Sequence, residues 1–452
     1  MTLAPSRPSR GQRILELAGL ATFGALLFLW SVPNVIAARN GLLGLLLLLA
    51  IAMRPSPREV VASLQQGGAA AWLLVLTLWI AMHCAMLAWE PQRAWHEAAQ
   101  WFKVLPIITL GGMLGYAPRW RPPSERVQAW CSVLVLAYLL YLVFQLIYKP
   151  WGQHLPVAIL LQESTPIGSR DLASYLGTAL VAVFLGDLLG QAAGRNCLLG
   201  GPLWVKISMI ALSILLTVAT VTRNALPVLL LLGAVAAACF VTARRMSARH
   251  LAAMGALLIV ATAIAATAFS LRNDPRNGGL AESIVAGLDT EHQKAWLTPG
   301  GRRLPKDSHG KEVEGSTYLR TAWMKGLLTE ISRHPLGVGY DRNAFGMALR
   351  KDYGDWVTAG HGHAGMLDFT LGVGVPGGLM LLAFMVSLVV AGARAWHTRR
   401  DAAGLALVLF VLAYGSRAFI DGIVRDHMLE QFMFCAGLLL ALTHSQSTDT
   451  RA

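Results

Sequence analysis

Residues 361–378 read HGHAGMLDFTLGVGVPGG. Two histidines one residue apart, His361 and His363, precede a run in which Asp368 is the next polar landmark and glycines stand at 372, 374, 377 and 378. The apolar run continues as LMLLAFMVSLVVAGA, so the whole block exceeds the ~20 residues that a helix needs to cross a bilayer. A histidine pair at the mouth of an apolar helix is an unusual placement. Its chemistry depends on which side of a membrane that mouth faces.

Working outward, the same apolar pattern fills the chain. Of 452 residues, 55% are hydrophobic and only 14% charged, where a soluble protein carries about 25% charged residues. Blocks such as GLLGLLLLLAIAM (41–53) and ALPVLLLLGAVAAACFV (225–241) approach membrane-spanning length. The net charge of +13 resides largely in arginines flanking those blocks. That is the positive-inside pattern and gives no basic patch with interleaved aromatics for nucleic acid. The five cysteines, Cys84, Cys131, Cys197, Cys239 and Cys435, lie in or beside apolar segments without CxxC spacing, and read as small hydrophobes. The basic start SRPSRGQR precedes a retained first helix rather than a cleaved signal.

Apolar blocks set against polar breaks predict an all-α polytopic membrane protein of about twelve spans, near 14–31, 35–53, 69–89, 98–117, 127–148, 171–191, 203–221, 224–243, 251–271, 363–391, 402–420 and 427–443. One set of alternate breaks is rich in arginine: Arg7, Arg10 and Arg13; Arg54 and Arg58; Arg119, Arg121 and Arg126; Arg195; Arg244, Arg245 and Arg249; Arg394, Arg399 and Arg400. The opposite breaks are poorer, so both termini are expected in the cytoplasm. The chain then divides into a helical region 1–271, a polar segment 272–362 on the outer side, and a helical region with a cytoplasmic tail, 363–452. Within the long segment, WLTPGGRRLPKDSHGKEVEGS is expected to be mobile. STYLRTAWMKGLLTEISRH has Leu319, Trp323, Leu327 and Ile331 at helical spacing, which predicts an amphipathic helix able to lie on the membrane as a lid.

A charge at membrane depth costs about 2.5–3.5 kcal/mol, so those near the outer face need a reason. The candidates are Arg223 in ATVTRNALP, Arg170 in GSRDLASY, Arg320 on the amphipathic helix, and Arg417, Asp421, Arg425 and Asp426 around the last outer turn. A single arginine there can snorkel to lipid phosphate. Several facing one cavity make a diphosphate site, because guanidinium binds phosphate oxygens in a bidentate way. Histidine suits proton transfer near neutral pH. The pair could ligate a metal only with further Asp, Glu or His nearby, and the sequence offers no convincing set. No DxD and no P-loop pattern appears, so neither acidic-motif metal chemistry nor nucleotide hydrolysis is indicated.

At these residues the chain resembles bacterial O-antigen ligases, within the group that includes O-antigen polymerases and O-linked protein oligosaccharyltransferases. The family's pattern of a histidine followed by Leu four on and glycines eleven and fourteen on matches His363, Leu367, Gly374 and Gly377. VTRNAL resembles the family's Ser/Thr-Arg turn and points to Arg223; STYLRTAW with HPLGVGYDRNAF resembles its loop block and points to Arg320. The chain departs from the family in carrying Ala364 where Asn is frequent after the histidine. The family's functional Asp in the last outer turn corresponds to Asp421 or Asp426.

The resemblance implies a glycosyltransferase C-like fold in the bacterial inner membrane, working at the periplasmic face. The implied reaction moves O-antigen polysaccharide from undecaprenyl diphosphate to lipid A–core. His363 would be the base, Arg223 and Arg320 the diphosphate ligands, and His361, Arg170, Arg417, Asp421, Arg425 and Asp426 secondary candidates. No cofactor or metal is expected, and the partners are the two lipid-linked substrates and membrane lipid. A polymerase or protein oligosaccharyltransferase would use the same groups with another acceptor. A transporter would show internal repeats and polar groups at the midplane, and the sequence shows neither.

Overall fold

The computed structural model describes residues 10–30, 32, 35–53, 57–116, 135–136, 139–140, 143, 170–192, 198–199, 202–219, 224–241, 279–301 and 303–448. Helix accounts for 79% of it, and no strand occurs among the described residues. In chain order the helices are α1 (Arg10–Trp30), α2 (Ile36–Ala52), α3 (Pro57–Leu64), α4 (Ala69–Met86), α5 (Pro91–Phe102), α6 (Val104–Tyr116), α7 (Arg170–Ala192), α8 (Leu203–Ala219), α9 (Ala225–Val241), α10 (Leu280–Leu288), α11 (Gly315–Arg333), α12 (Ala344–Tyr353), α13 (Gly365–Arg399), α14 (Ala402–Ala418) and α15 (Asp426–Thr448).

Among the described residues, three stretches are long and apolar enough to cross a membrane: Gln66–Met86, Ser174–Gln191 and Gly365–Arg399. Shorter apolar helices cover Leu17–Trp30, Ile36–Ala52, Leu203–Leu215, Ala225–Cys239 and Ala402–Ala418. Of the expected spans, 251–271 lies outside the described residues, as does most of 127–148. The expected span 98–117 is divided at Lys103 into α5 and α6. Pro106 explains the break: it has no N–H to donate to the carbonyl of Phe102.

Helices meet closely where glycine faces a neighbour. A Cβ added at Gly111 of α6 would lie 2.1 Å from the Phe434 carbonyl of α15, and one at Gly186 of α7 would lie 2.5 Å from Ala406 Cα of α14. Small residues at such crossings let backbones approach, which is how helices associate where lipid removes the hydrophobic drive.

The glycine-rich stretch of the opening sequence is a break inside α13. Gly374 has φ 79° and ψ 166°, and Pro376 follows. The break frees the carbonyls of Leu371, Gly372 and Val373, and each finds a substitute donor. Val338 N donates to Leu371 O at 3.0 Å and Gly339 N to Gly372 O at 2.9 Å. Trp79 Nε1 donates to Val373 O at 2.7 Å. In return Val375 N donates to Pro335 O at 2.8 Å, and His83 Nε2 donates to Leu336 O at 2.7 Å. The HPLGVG turn and Trp79 therefore supply partners that a continuous helix would have given these backbone groups. Only glycine fits at 374: beyond the positive φ, its Cβ would stand 2.5 Å from Leu336 C.

Residues between α10 and α13 build a second apolar cluster around Trp296, Tyr318, Trp323, Leu327, Phe345 and Leu349. The stretch expected to be mobile is tied in at both ends. Trp296 and Leu297 are buried, and Lys306 bridges to Glu312. The amphipathic helix exists as α11. Its stripe turns inward: Trp323 and Leu327 are buried in this cluster, while Met324 and Leu328 are exposed.

Candidate functional site

The histidine turn is held by the helix it precedes. Asp368, in the first turn of α13, accepts from Gly362 N at 2.8 Å and from Ala364 N at 3.2 Å. A carboxylate near a helix N-terminus both supplies acceptors to unpaired amides and opposes the helix dipole. His363 between those amides has φ 54°, a conformation uncommon outside glycine. Strain of this kind persists only where the surroundings over-determine it, and it clusters at functional sites. The His363 ring stacks on Trp323 with centroids 5.2 Å apart, and His361 lies 4.2 Å from His363. Trp323 is itself fixed by donating from Nε1 to the Trp296 carbonyl at 3.0 Å.

Asp421, in the turn between α14 and α15, joins this histidine turn to the arginines. Its backbone carbonyl accepts from Gly365 N, the first residue of α13, at 3.0 Å. Its carboxylate accepts from Arg417 Nε at 2.7 Å and from Asn224 Nδ2 at 2.7 Å, and pairs with Arg320 NH1 at 3.7 Å. Arg417, fully buried, also donates from NH1 to Ser174 Oγ at 2.9 Å. Arg320 keeps 35% of its side chain exposed. Two guanidiniums thus converge on the carboxylate of a residue whose backbone carbonyl is bonded to the first residue of α13, two residues after His363.

The structure separates the remaining candidates. Arg425 donates from NH1 to the Arg342 carbonyl at 3.3 Å, and Asp426, with φ 53°, accepts from Arg342 NH2 at 3.3 Å. Both contact Arg342, which lines a neighbouring cleft. Asp421 is therefore the acid that meets the sequence-expected arginines. Arg223 lies outside the described residues, immediately before Asn224. Arg170 opens α7, four residues before Ser174, and its side chain lies outside the described residues.

The cleft is lined by Glu97, Gln100, Tyr340, Arg342, Phe369 and Arg425 among others, and encloses about 520 Å³ including its open mouth. Asp368 and Gly365 also line it, so it adjoins the histidine turn. Burial, with His363, Arg425 and Arg342 nearby, pushes the His361 imidazole down to about 4. It is neutral at physiological pH.

Sequence reasoning missed Ser174, Asn224, Glu97, Gln100 and Arg342, and left Asp368 without a role. Asn224 and Arg342 stood inside quoted motifs, VTRNAL and YDRNAF. Gln100 falls inside the expected span 98–117 and Glu97 just before it, both on α5. No cluster of three or more metal-ligating side chains occurs among the described residues. No protein-family model matches the chain, and no curated protein matches it.

Proposed function

We propose that this chain is an inverting, metal-independent glycosyltransferase of the bacterial inner membrane. It transfers O-antigen polysaccharide from undecaprenyl diphosphate to lipid A–core and so completes lipopolysaccharide. In this reading the chain has about twelve spans with both termini cytoplasmic, and the segment 272–362 is periplasmic. No ATP is needed there, because the energy resides in the diphosphate ester of the donor.

The observation that carries the reading is the Asp421 carboxylate holding Arg417 and Arg320 while its backbone carbonyl holds the start of the helix that follows His363. The acceptor hydroxyl oxygen attacks the anomeric carbon, and its proton passes to the His363 imidazole. The bond from that carbon to the diphosphate oxygen breaks, and the electron pair leaves with the diphosphate. Arg320, with Arg223, neutralises the charge that grows on it; preorganised donors of this kind contribute about 10²–10³ in rate. One displacement inverts the anomeric centre. Arg417, buried and already engaged by Ser174 and Asp421, acts as a positioning residue.

The test is transfer by purified protein in detergent with a chelator present, using undecaprenyl-diphosphate-linked O-antigen and lipid A–core. A ladder of glycosylated lipid A–core is expected, lost by about 10²–10⁴ in rate in His363→Ala. A ladder undiminished in that variant would refute the role of His363. Transfer to another lipid-linked glycan, or to a protein serine, would instead assign a polymerase or an O-linked oligosaccharyltransferase.

A further inference from the structure

The cleft beside the histidine turn has a chemistry distinct from the arginine cluster. Glu97 and Gln100 stand three residues apart on α5, hence on one face. Glu97 accepts from Arg342 Nε at 3.1 Å. With its amide oriented to satisfy both neighbours, Gln100 donates to Asp426 at 2.8 Å and accepts from Arg342 at 3.0 Å. Below these planar groups lie Tyr340 and Phe369, with ring centroids 6.0 Å apart and nearly perpendicular planes.

The charges here are matched. Arg342 is answered by Glu97 and Asp426, and the lining carboxylate of Asp341 by Arg93. An entering diphosphate would meet Glu97 and Asp368, and a lone cation would meet Arg342 and Arg425. A neutral polyol suits the lining better, since each hydroxyl both donates and accepts and can bridge a carboxylate to a guanidinium. Tyr340 and Phe369 add apolar surface to the lining, and the cleft opens to solvent, so a ring can enter from its mouth.

Resting on the glycosyltransferase reading above, we infer that this cleft is the subsite for the acceptor sugar, a neutral ring held by Glu97, Gln100 and Arg342 with its attacking hydroxyl toward the histidine turn. One turn of chain serves both halves of the reaction. Asp421 faces the diphosphate arginines, and Gly422, Val424 and Arg425 line the sugar cleft. His361 lies 4.2 Å from His363, and the cleft arginines share with burial in depressing its basicity.

Equilibrium binding to the full chain in detergent tests this, with two probes. One is delipidated core oligosaccharide made neutral by phosphatase treatment; the other is inorganic pyrophosphate. Glu97→Gln and Gln100→Ala are expected to weaken oligosaccharide binding at least tenfold and leave pyrophosphate binding unchanged, whereas Arg320→Ala does the reverse. Gln100→Ala removes no charge, so it carries the test if Glu97→Gln melts early. Oligosaccharide binding unmoved by both cleft variants overturns the assignment, as does loss of pyrophosphate binding in them or no saturable sugar binding by the wild-type chain. In transfer kinetics the cleft variants should raise KM for lipid A–core and not for the donor; a rise in donor KM alone would give the cleft to the donor glycan and overturn the inference. If the wild-type chain binds the saccharide through the cleft yet transfers nothing to lipid A–core, the ligase reading falls and the sugar site stands.

Discussion

Two buried ion pairs in this molecule use the same interaction to opposite ends. Asp187 of α7 and Lys206 of α8 meet at 2.7 Å with side chains 0% and 2% exposed, and Asp187 Oδ1 also accepts from Leu198 N at 2.5 Å. Asp421 instead gathers Arg417, Arg320 and Asn224, and Arg320 reaches toward solvent. The first is a sealed one-to-one pair. It fixes how two helices sit. The second is an open cluster that presents a guanidinium to solvent. The difference yields a sharp contrast under mutation. Lys206→Met leaves a buried carboxylate uncompensated, which costs about 3–5 kcal/mol, whereas Asp187→Leu with Lys206→Met should recover most of it. Thermal melting in detergent measures both. Transfer per folded molecule should be unchanged, and if it collapses the sealed pair is not merely structural.

The open cluster should respond the other way. Arg320→Ala is expected to lower transfer about 10²–10³-fold, equivalent to roughly 2.7–4 kcal/mol in the barrier. Its melting temperature should hardly move, since a partly exposed ion pair contributes only about 0–1 kcal/mol. Arg320→Lys should recover part of the binding of diphosphate, but not the bidentate geometry. A variant that melts early and transfers normally would make Arg320 a structural residue like Lys206 and erase the contrast.

Much of this was legible because the signals are local. Apolar blocks and the 3.6-residue stripe of α11 are read directly from residue order, and so is the glycine register after His363. What residue order does not carry is where a stripe faces. Trp323 and Leu327 were compatible with a membrane surface, and burial chose the loop cluster and the His363 ring instead. Likewise the acids Asp421 and Asp426 are equivalent in sequence, and only the packing of α11 against the start of α13 gives Arg320 to Asp421. The glycines at 372 and 374 marked a special backbone, while their partner, the HPLGVG turn, lies some forty residues earlier in the chain. Gly374→Ala tests that pairing: left-handed strain costs about 1–3 kcal/mol, and the turn must also shift away from a Cβ 2.5 Å from Leu336 C. Melting should fall accordingly, and an unchanged midpoint would mean the break can be closed without loss.

The smallest expected effect sharpens the comparison at the histidine turn, where cluster and cleft meet. His361 carries an imidazole near 6.5 when unfolded and about 4 when folded, the cause being burial and then the nearby His363, Arg425 and Arg342. Between those values the unfolded chain binds the extra proton, so stability rises with pH across that window and is lost as pH falls from 6.5 toward 4. His334 is also shifted down, by burial and by Lys351, so it adds to the same slope. His361→Gln should therefore flatten, without abolishing, the rise in melting temperature from pH 4 to 6.5. An unaltered slope in His361→Gln would mean that the folded imidazole protonates as readily as the unfolded one, so that neither burial nor the nearby His363, Arg425 and Arg342 depresses it.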